Sequence, residues 1–319
     1  LLFGNSKRAI SRPKGKGEIS INSGAGGFFL TAYSPELLLK FIEPLHQKKL
    51  PTLDRLALIR DVFALAEGGI VPATEALTLV EHYKEEHNYP VWAEVSHSLG
   101  HLRTLLLDTP AYPGFQEFVA GIYKKAAADI GWKPRPSEDH SQALLRSLLL
   151  SQAGLYGNRE VVATAQTLFN EYVQKDKPIP ADLRGVVYAT VARNGGEKEY
   201  RKTLAMYRKE TLHEEKNRLG HALGLFQDQK FLKQTLEFGL SKEVRLQDGL
   251  SILASVLGNS KGRNLAWEFI KKNWPTLLER YGTGGHSLSR LIQVTAGLTT
   301  REAYNDVKKF FKAHPAPGA

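Results

Sequence analysis

The sequence predicts a mainly α-helical protein: an irregular α-solenoid of antiparallel helix pairs with a short N-terminal β-hairpin. Two observations indicate the helices. From Ser34 onward, apolar residues recur at intervals of three and four, which places them on one face of a helix. Glycine and proline interrupt this pattern regularly, and they divide the chain into segments of about 12 to 20 residues joined by short loops. The hairpin is indicated by a different pattern in the first 33 residues.

Alternation of polar and apolar residues predicts two strands at the start of the chain. Residues 18–22 alternate, the segment from Ser23 to Gly27 is rich in glycine, and residues 28–33 alternate again. Because two strands alone are marginally stable in water, we expect them to belong to a larger sheet or to lie against the helices. The pattern therefore divides the chain into residues 1–33 and residues 34–319.

The helical part begins at a clear start signal, since Ser34 suits an N-cap and Pro35 suits the first helical position. The main apolar stripes are Ala76, Val80 and Tyr83; Val161, Ala165, Leu168 and Tyr172; Leu219, Ala222, Leu223 and Phe226; Leu246, Leu250, Leu253 and Leu257; and Ala303, Val307 and Phe310. A helix pair takes about 40 residues, as in HEAT and armadillo arrays, although no strict internal repeat is visible. Stacked pairs of this kind produce a concave surface.

Composition limits the possible functions. The 319 residues are 42% hydrophobic and 24% charged, which is typical of a globular protein and argues against wholesale disorder. The absence of cysteine excludes disulfides, thiolate metal sites and a cysteine nucleophile; it fits a reducing compartment and predicts a cytoplasmic location. No apolar run is long enough to cross a bilayer, so we predict no membrane partner.

The net charge of +10 is of a size that attracts nucleic acid, anionic lipid or acidic peptides. The densest basic patch comprises Lys7, Arg8, Arg12, Lys14 and Lys16. We interpret it as a solvated loop. One hypothesis is nevertheless a HEAT-like adaptor that binds an acidic protein or nucleic acid. Neither a basic helix nor interleaved aromatic residues support it, so nucleic acid is not the predicted partner.

Metal-binding and catalytic motifs are incomplete. The segment His213-Glu214-Glu215-Lys216-Asn217 imitates the H-E-x-x-H zinc motif, but its fifth position lacks the second histidine. Glu94, His97 and His101 have the spacing to share one helix face, and they form the remaining candidate metal site. The alternative is two histidines on a helix surface. We predict no metal site and no catalytic residue in this sequence.

Carboxylates within apolar surroundings are expected to pair with arginines rather than to act in catalysis. The carboxylates are Asp61, Asp182 and Asp248, and the available arginines are Arg55, Arg184 and Arg245. No phosphate-binding loop or nucleophile elbow is present either. The sequence by itself therefore predicts a partner, lid or binding surface for chemistry located elsewhere.

Several segments, in order along nearly the whole chain, resemble the C-terminal helical domain of zinc aminopeptidases. This family includes aminopeptidase N, puromycin-sensitive aminopeptidase and endoplasmic-reticulum aminopeptidase. The segments are Asp54-Arg55 with Asp61-Val62-Phe63-Ala64-Leu65-Ala66; Tyr89-Pro90-Val91-Trp92; Ile179-Pro180-Ala181-Asp182-Leu183-Arg184 with Val187-Tyr188; Val244-Arg245-Leu246-Gln247-Asp248; and Gly262-Arg263-Asn264-Leu265-Ala266-Trp267 with Asn273-Trp274. Residues 22–33 resemble the end of the family's small β-sandwich domain.

The resemblance implies that the chain is part of a four-domain enzyme that removes N-terminal residues from peptides. Residues 1–33 would be a remnant of the β-sandwich domain, and residues 34–319 would be the C-terminal α-helical domain, truncated at its end. The exopeptidase motif and the zinc site would lie in a missing catalytic domain, so these residues alone should be inactive. The predicted partners are peptide substrates and the missing catalytic and β-sandwich domains.

The same resemblance implies that the helical domain closes over the active site and encloses the peptide. Inward-facing lysine and arginine side chains would then attract the C-terminal carboxylate of a substrate. Arg184 and Arg245 are the predicted substrate-binding residues. Structural pairing with Asp182 or Asp248 is the alternative role for them.

Overall fold

The computed structural model describes residues 20–282 and 287–316, and it divides into two compact units. The first unit extends to Glu85 and the second begins at Glu86. The predicted mainly helical class is confirmed, since the described residues contain α-helices and short 3-10 turns and no strand. The basic patch from Lys7 to Lys16 lies outside the described residues.

In the first unit, two short helices precede two longer ones. The helices are α1 (Pro35–Lys40), α2 (Ile42–His46), α3 (Thr52–Glu67) and α4 (Ala73–Glu81), and a 3-10 turn covers Ser23–Ala25. The predicted start signal is confirmed, because the Ser34 hydroxyl accepts a hydrogen bond from the Leu37 amide and Pro35 begins α1. Helix α3 packs against α4, and their apolar faces bury Ile59, Ala76 and Val80.

The predicted N-terminal hairpin is wrong for the part that the structure describes. Residues 20–34 form the 3-10 turn and extended chain without strand pairing. Carboxylates of α3 replace a partner strand: Asp54 accepts hydrogen bonds from the Ser23 hydroxyl at 2.8 Å and from the Gly24 amide, and Asp61 accepts the Thr31 amide at 3.0 Å. Charged acceptors satisfy these backbone donors better than a two-stranded ribbon would in water. Glu18 and Ile19 lie outside the described residues.

The second unit contains the remaining helices. They are α5 (Tyr89–Leu106), α6 (Tyr112–Ile130), α7 (His140–Leu155), α8 (Arg159–Lys175), α9 (Arg184–Asn194), α10 (Glu197–Lys209), α11 (His213–Leu223), α12 (Gln229–Gly239), α13 (Leu246–Leu257), α14 (Arg263–Lys272), α15 (Trp274–Tyr281), α16 (Ser287–Val294) and α17 (Arg301–Ala313). Two 3-10 turns, Ala181–Leu183 and Thr295–Gly297, precede α9 and α17.

Helices of the second unit stack in two layers. One layer consists of α5, α7, α9, α11 and α13, each packed against the next, and the other consists of α6, α8, α10 and α12, each packed on the helix that follows it. Short breaks make this stacking possible. Gly157, for example, adopts φ +82°, which favours glycine, and Asn158 then caps α8 through the amides of Glu160 and Val161.

The predicted apolar stripes mostly form the core of these layers. Leu219, Leu223 and Phe226 are buried, and so is Leu253, whereas Leu246 at the start of α13 is 53% exposed. Trp267 and Trp274 are buried in an apolar cluster. Helix α17 has no fully buried residue, but its Phe310 and Phe311 lie edge-on or tilted against these two tryptophans.

Candidate functional site: an arginine-lined cavity

A cavity of about 300 Å³ lies within the second unit, where helices of the layer formed by α5, α7, α9, α11 and α13 end. Helix α7 ends there at Leu155 and α9 ends there at Asn194. The loops that follow α11 and α13 contribute Gln227 and Asn259. The cavity is therefore built from the breaks between helices, and its position depends on glycine-containing loops rather than on one helix face.

Two arginines line this cavity. Arg103 lies in the last turn of α5 and Arg193 lies in the last turn of α9. The other lining residues are neutral, so none of the described residues around the cavity carries a carboxylate. Tyr112, Gln116 and Ser260 add neutral groups able to form hydrogen bonds. The cavity thus combines two positive charges with neutral polar groups, which is the composition of an anion-binding site.

Each guanidinium group has one unfavourable feature in its environment. Burial, together with the charge of Arg103, lowers the pKa of Arg193 to about 10. Arg193 still carries its charge near neutral pH, so the lowered pKa reports an unfavourable environment for a cation. Among the described residues, no acceptor bonds to the buried Nε of Arg103. A bound anion would relieve both effects because it would supply the missing opposite charge.

The position of each arginine in the last turn of its helix also has an explanation that involves no ligand. A cation in the last turn of a helix interacts favourably with the unpaired carbonyl groups, by about 0.3–1 kcal/mol. That contribution explains why each helix tolerates its arginine. It does not supply a counter-charge for two arginines that share one cavity. The arrangement can hold a planar carboxylate, for which the guanidinium fork is the matching donor.

The predicted substrate-binding residues, Arg184 and Arg245, lie elsewhere and are bound to carboxylates. Arg245 makes a two-point pair with Asp248, with Nε–Oδ2 at 2.7 Å and Nη2–Oδ1 at 3.2 Å. Arg184 pairs with Glu215, with Nη1–Oε2 at 3.2 Å, so the expected pairing with Asp182 is wrong. Arg184 begins α9 and Arg193 nearly ends it, which separates them by about 14 Å along the helix. A role of Arg184 and Arg245 in substrate contact stays a prediction.

The expected partner of Asp61 also differs. Its Oδ1 accepts Nε and Nη2 of Arg60 at 3.1 and 2.9 Å, whereas Arg55 donates through Nη1 to the Leu50 carbonyl at 2.6 Å. The general expectation, a buried carboxylate paired with arginine, is therefore met by a different arginine.

The candidate metal residues do not form a complete site. The rings of His97 and His101 lie 4.5 Å apart, and Glu94 accepts a hydrogen bond from the Ser98 hydroxyl at 3.5 Å. In the residues that the structure describes, no group of three histidine, aspartate or glutamate side chains is arranged to hold a metal ion. The described residues therefore do not fit a resident zinc ion, for which at least three protein ligands are usual.

Comparison with known proteins places the chain in a family. A model described as the ERAP1-like C-terminal domain matches residues 19–319. The chain belongs to this family. The match confirms the resemblance drawn from the sequence motifs and covers both units of this ERAP1-like C-terminal domain.

The relatives of this ERAP1-like C-terminal domain are aminopeptidases. Human glutamyl aminopeptidase is 30% identical over 100% of the chain and 34% of its own length. Alanine/arginine aminopeptidase of Saccharomyces cerevisiae is 29% identical over 96% of the chain and 36% of its own length. Puromycin-sensitive aminopeptidase of Caenorhabditis elegans is 26% identical over 88% of the chain and 30% of its own length. The chain spans about a third of the length of these relatives.

Sequence reasoning missed Arg103 and Arg193 in this ERAP1-like C-terminal domain. Each was visible as a basic residue shortly before a break that contains proline or glycine. That signal indicates a helix end, but it does not say which helix ends meet.

The described helices also include none that is both long and apolar enough to span a membrane.

Proposed function

We propose that this chain is the peptide-enclosing C-terminal domain of a metal-dependent aminopeptidase. The observation that carries the proposal is the cavity in which Arg103 and Arg193 meet without a carboxylate. Membership of the ERAP1-like family and the aminopeptidase relatives support it. The ligand of this cavity would be the C-terminal carboxylate of a peptide whose other end lies at a catalytic centre outside this chain.

The chemistry of the cavity supports a carboxylate ligand. Guanidinium groups bind carboxylates through paired hydrogen bonds that are shorter and stronger than those of neutral groups. The cavity volume of about 300 Å³ accommodates a chain terminus with its side chain rather than a folded partner or a nucleic-acid duplex. The adaptor hypothesis therefore has less support than the peptide hypothesis.

The reaction itself is assigned to residues outside the chain. We propose that the parent enzyme uses zinc and that the present residues are inactive alone, with residues 1–33 as the remnant of a β-sandwich domain. No cluster of the described residues fits the metal, so its ligands would belong to the catalytic domain. Arg103 and Arg193 would contribute by holding and orienting the peptide, which reduces the freedom of the substrate before the reaction.

The test is a binding measurement on the purified chain. A fluorescent peptide with a free C-terminal carboxylate is titrated against the chain, and the same peptide with a C-terminal amide serves as the matched ligand. We expect the amide peptide to bind the original chain about tenfold to a hundredfold more weakly than the free-carboxylate peptide. The Arg193→Met and Arg103→Met variants should each weaken binding of the free-carboxylate peptide by the same factor, because each change removes a charge-assisted hydrogen bond.

The control variant is Arg208→Met. Arg208 lies in the last turn of α10 and pairs with Glu243 at 2.7 Å, so its loss changes the net charge equally but leaves the cavity intact. Equal binding of the acid and the amide peptide would contradict the proposal.

A second measurement tests the proposal that the chain is inactive alone. The chain is incubated with added zinc and a peptide substrate, and release of the N-terminal residue is followed. Sustained turnover would refute the proposal.

A further inference from the structure

Two histidines from different helices of the first unit bring their ring nitrogens together. His46 ends α2 and His82 is the C-cap residue of α4, 36 positions later in the sequence. His46 Nε2 lies 3.2 Å from His82 Nδ1, whereas the ring centroids are 5.2 Å apart. The rings therefore face each other through their nitrogen-bearing edges.

We propose that His46 and His82 form a two-imidazole binding site for a divalent transition-metal ion of the zinc or copper type. Imidazole nitrogen is the ligand that these ions prefer at neutral pH. With metal–nitrogen bonds of about 2.0–2.1 Å, a nitrogen separation of 3.2 Å gives an angle of about 100–105° at the metal. That angle is close to tetrahedral, so the nitrogen separation is compatible with one ion bound by both rings.

The surroundings leave the remaining coordination positions to water. His46 is exposed and His82 is half-buried. The nearby carboxylates are engaged elsewhere, since Glu43 accepts a hydrogen bond from Gln47 at 2.8 Å and Glu81 pairs with Lys84 at 3.6 Å. A site with two protein ligands binds more weakly than a closed four-ligand site and exchanges its ion readily. The ion would link α2 to α4 and stabilise the first unit.

A hydrogen bond between two neutral imidazoles is the competing explanation. One ring nitrogen would then donate and the other would accept, which also suits a separation of 3.2 Å. The two explanations differ in what happens when a metal ion is added. This inference involves only the first unit and does not depend on the proposed peptide site.

The test is calorimetric titration of the untagged chain with ZnCl₂ at pH 7.5, with copper binding followed by electron paramagnetic resonance. We expect one ion per chain at this site, a nitrogen hyperfine pattern of two imidazoles, and a rise in melting temperature with added zinc. His46→Ala and His82→Ala should each weaken this binding by at least about tenfold, because they remove a direct ligand.

The matched control is the other histidine pair, on α5. A His97→Ala/His101→Ala double variant removes two histidines whose rings lie 4.5 Å apart and should retain the binding. Circular dichroism checks that each variant is folded. Absence of binding by the original chain, or binding that is lost only in the α5 double variant, would overturn the proposal.

Discussion

Glu215 on α11 accepts a hydrogen bond from Arg184 on α9 at 3.2 Å, although only 2% of the Glu215 side chain is exposed. Arg218 donates to the same Oε2 atom at 2.8 Å. Two neighbouring helices of one layer are thus joined through a buried carboxylate. Burial by itself would raise the pKa of Glu215, but hydrogen bonding to Arg218, Tyr188 and Arg184 lowers it below the ordinary value.

The first prediction is that Glu215→Gln destabilises the protein by about 2 kcal/mol, the contribution of hydrogen bonds to a charged group. Because the folded state lowers the pKa of Glu215, its stabilisation is present above the ordinary value of 4.5 and is lost as pH falls below it. Urea unfolding between pH 3.5 and 7 measures both effects. The variant should show a shallower loss of stability in acid than the original protein.

An exposed pair provides the comparison for this prediction. Glu214→Gln removes a carboxylate on the same helix that is 69% exposed and bonds to the same Arg218. Surface pairs of this type contribute at most about 1 kcal/mol. If Glu214→Gln proves as costly as Glu215→Gln, burial is not the source of the effect.

The second prediction concerns the close approach of α12 and α13. A Cβ atom at Gly249 would lie 2.5 Å from the Gly239 carbonyl oxygen and 2.9 Å from the Tyr281 hydroxyl. We expect Gly249→Ala to reduce the free energy of unfolding by about 1–3 kcal/mol, since backbone would have to move. A Cβ atom at Gly121 in α6 would have no atom within 4 Å. Gly121→Ala should therefore increase the free energy of unfolding by about 0.5–1 kcal/mol. Equal effects of the two substitutions in urea unfolding would contradict the packing argument.

The helices were predictable from sequence because their signals are local. The Ser34 cap and the buried stripe around Leu219 and Phe226 both depend on residues within a few positions of each other. The helical class therefore followed from periodicity, and the family followed from motifs in the same order along the chain. The order of the two layers could not be read from periodicity.

Most of the errors involve partners distant in sequence; the exception is the pairing of Asp61 with the adjacent Arg60. Asp54 and Asp61 bind backbone amides 30 positions earlier, which removes the need for the predicted hairpin. Arg184 selects Glu215, 31 positions later, instead of the nearby Asp182. The cavity was missed for the same reason, since Arg103 and Arg193 lie on helices far apart in the sequence. Such choices depend on how helices pack, and no short pattern encodes them.

The third prediction tests the connection between Asp61 and the extended N-terminal segment. Asp61→Ala removes the acceptor of the Thr31 amide, and hydrogen–deuterium exchange in residues 28–33 should become at least about tenfold faster. Asp129→Ala, at an exposed pair with Lys125 on α6, is the charge-matched control and should leave that exchange unchanged. Unchanged exchange in the Asp61 variant would mean that the segment is held by other contacts.

The fourth prediction is that Arg193→Met stabilises the free protein while it weakens anion binding. The folded state lowers the pKa of Arg193 to about 10, so at neutral pH the charge is retained at a cost to the stability of the folded protein. Removal of the charge should therefore add roughly 1 kcal/mol to the free energy of unfolding, after allowance for solvent screening. Thermal unfolding without ligand measures this gain. A free-carboxylate peptide should then raise the melting temperature of the original protein more than that of the variant.

His221 on α11 gives an independent readout of the same charge. Partial desolvation by the surrounding atoms lowers the pKa of His221, although its side chain is exposed, and the charge of Arg193 lowers it further. We therefore expect the pKa of His221, measured by nuclear magnetic resonance, to rise in Arg193→Met and to stay lowered in Arg193→Lys, which keeps the charge. A peptide carboxylate bound beside Arg193 should raise the pKa of His221 in the original protein, because it neutralises that charge. If Arg193→Met leaves both the melting temperature and the pKa of His221 unchanged, the cavity does not hold an unfavourable positive charge.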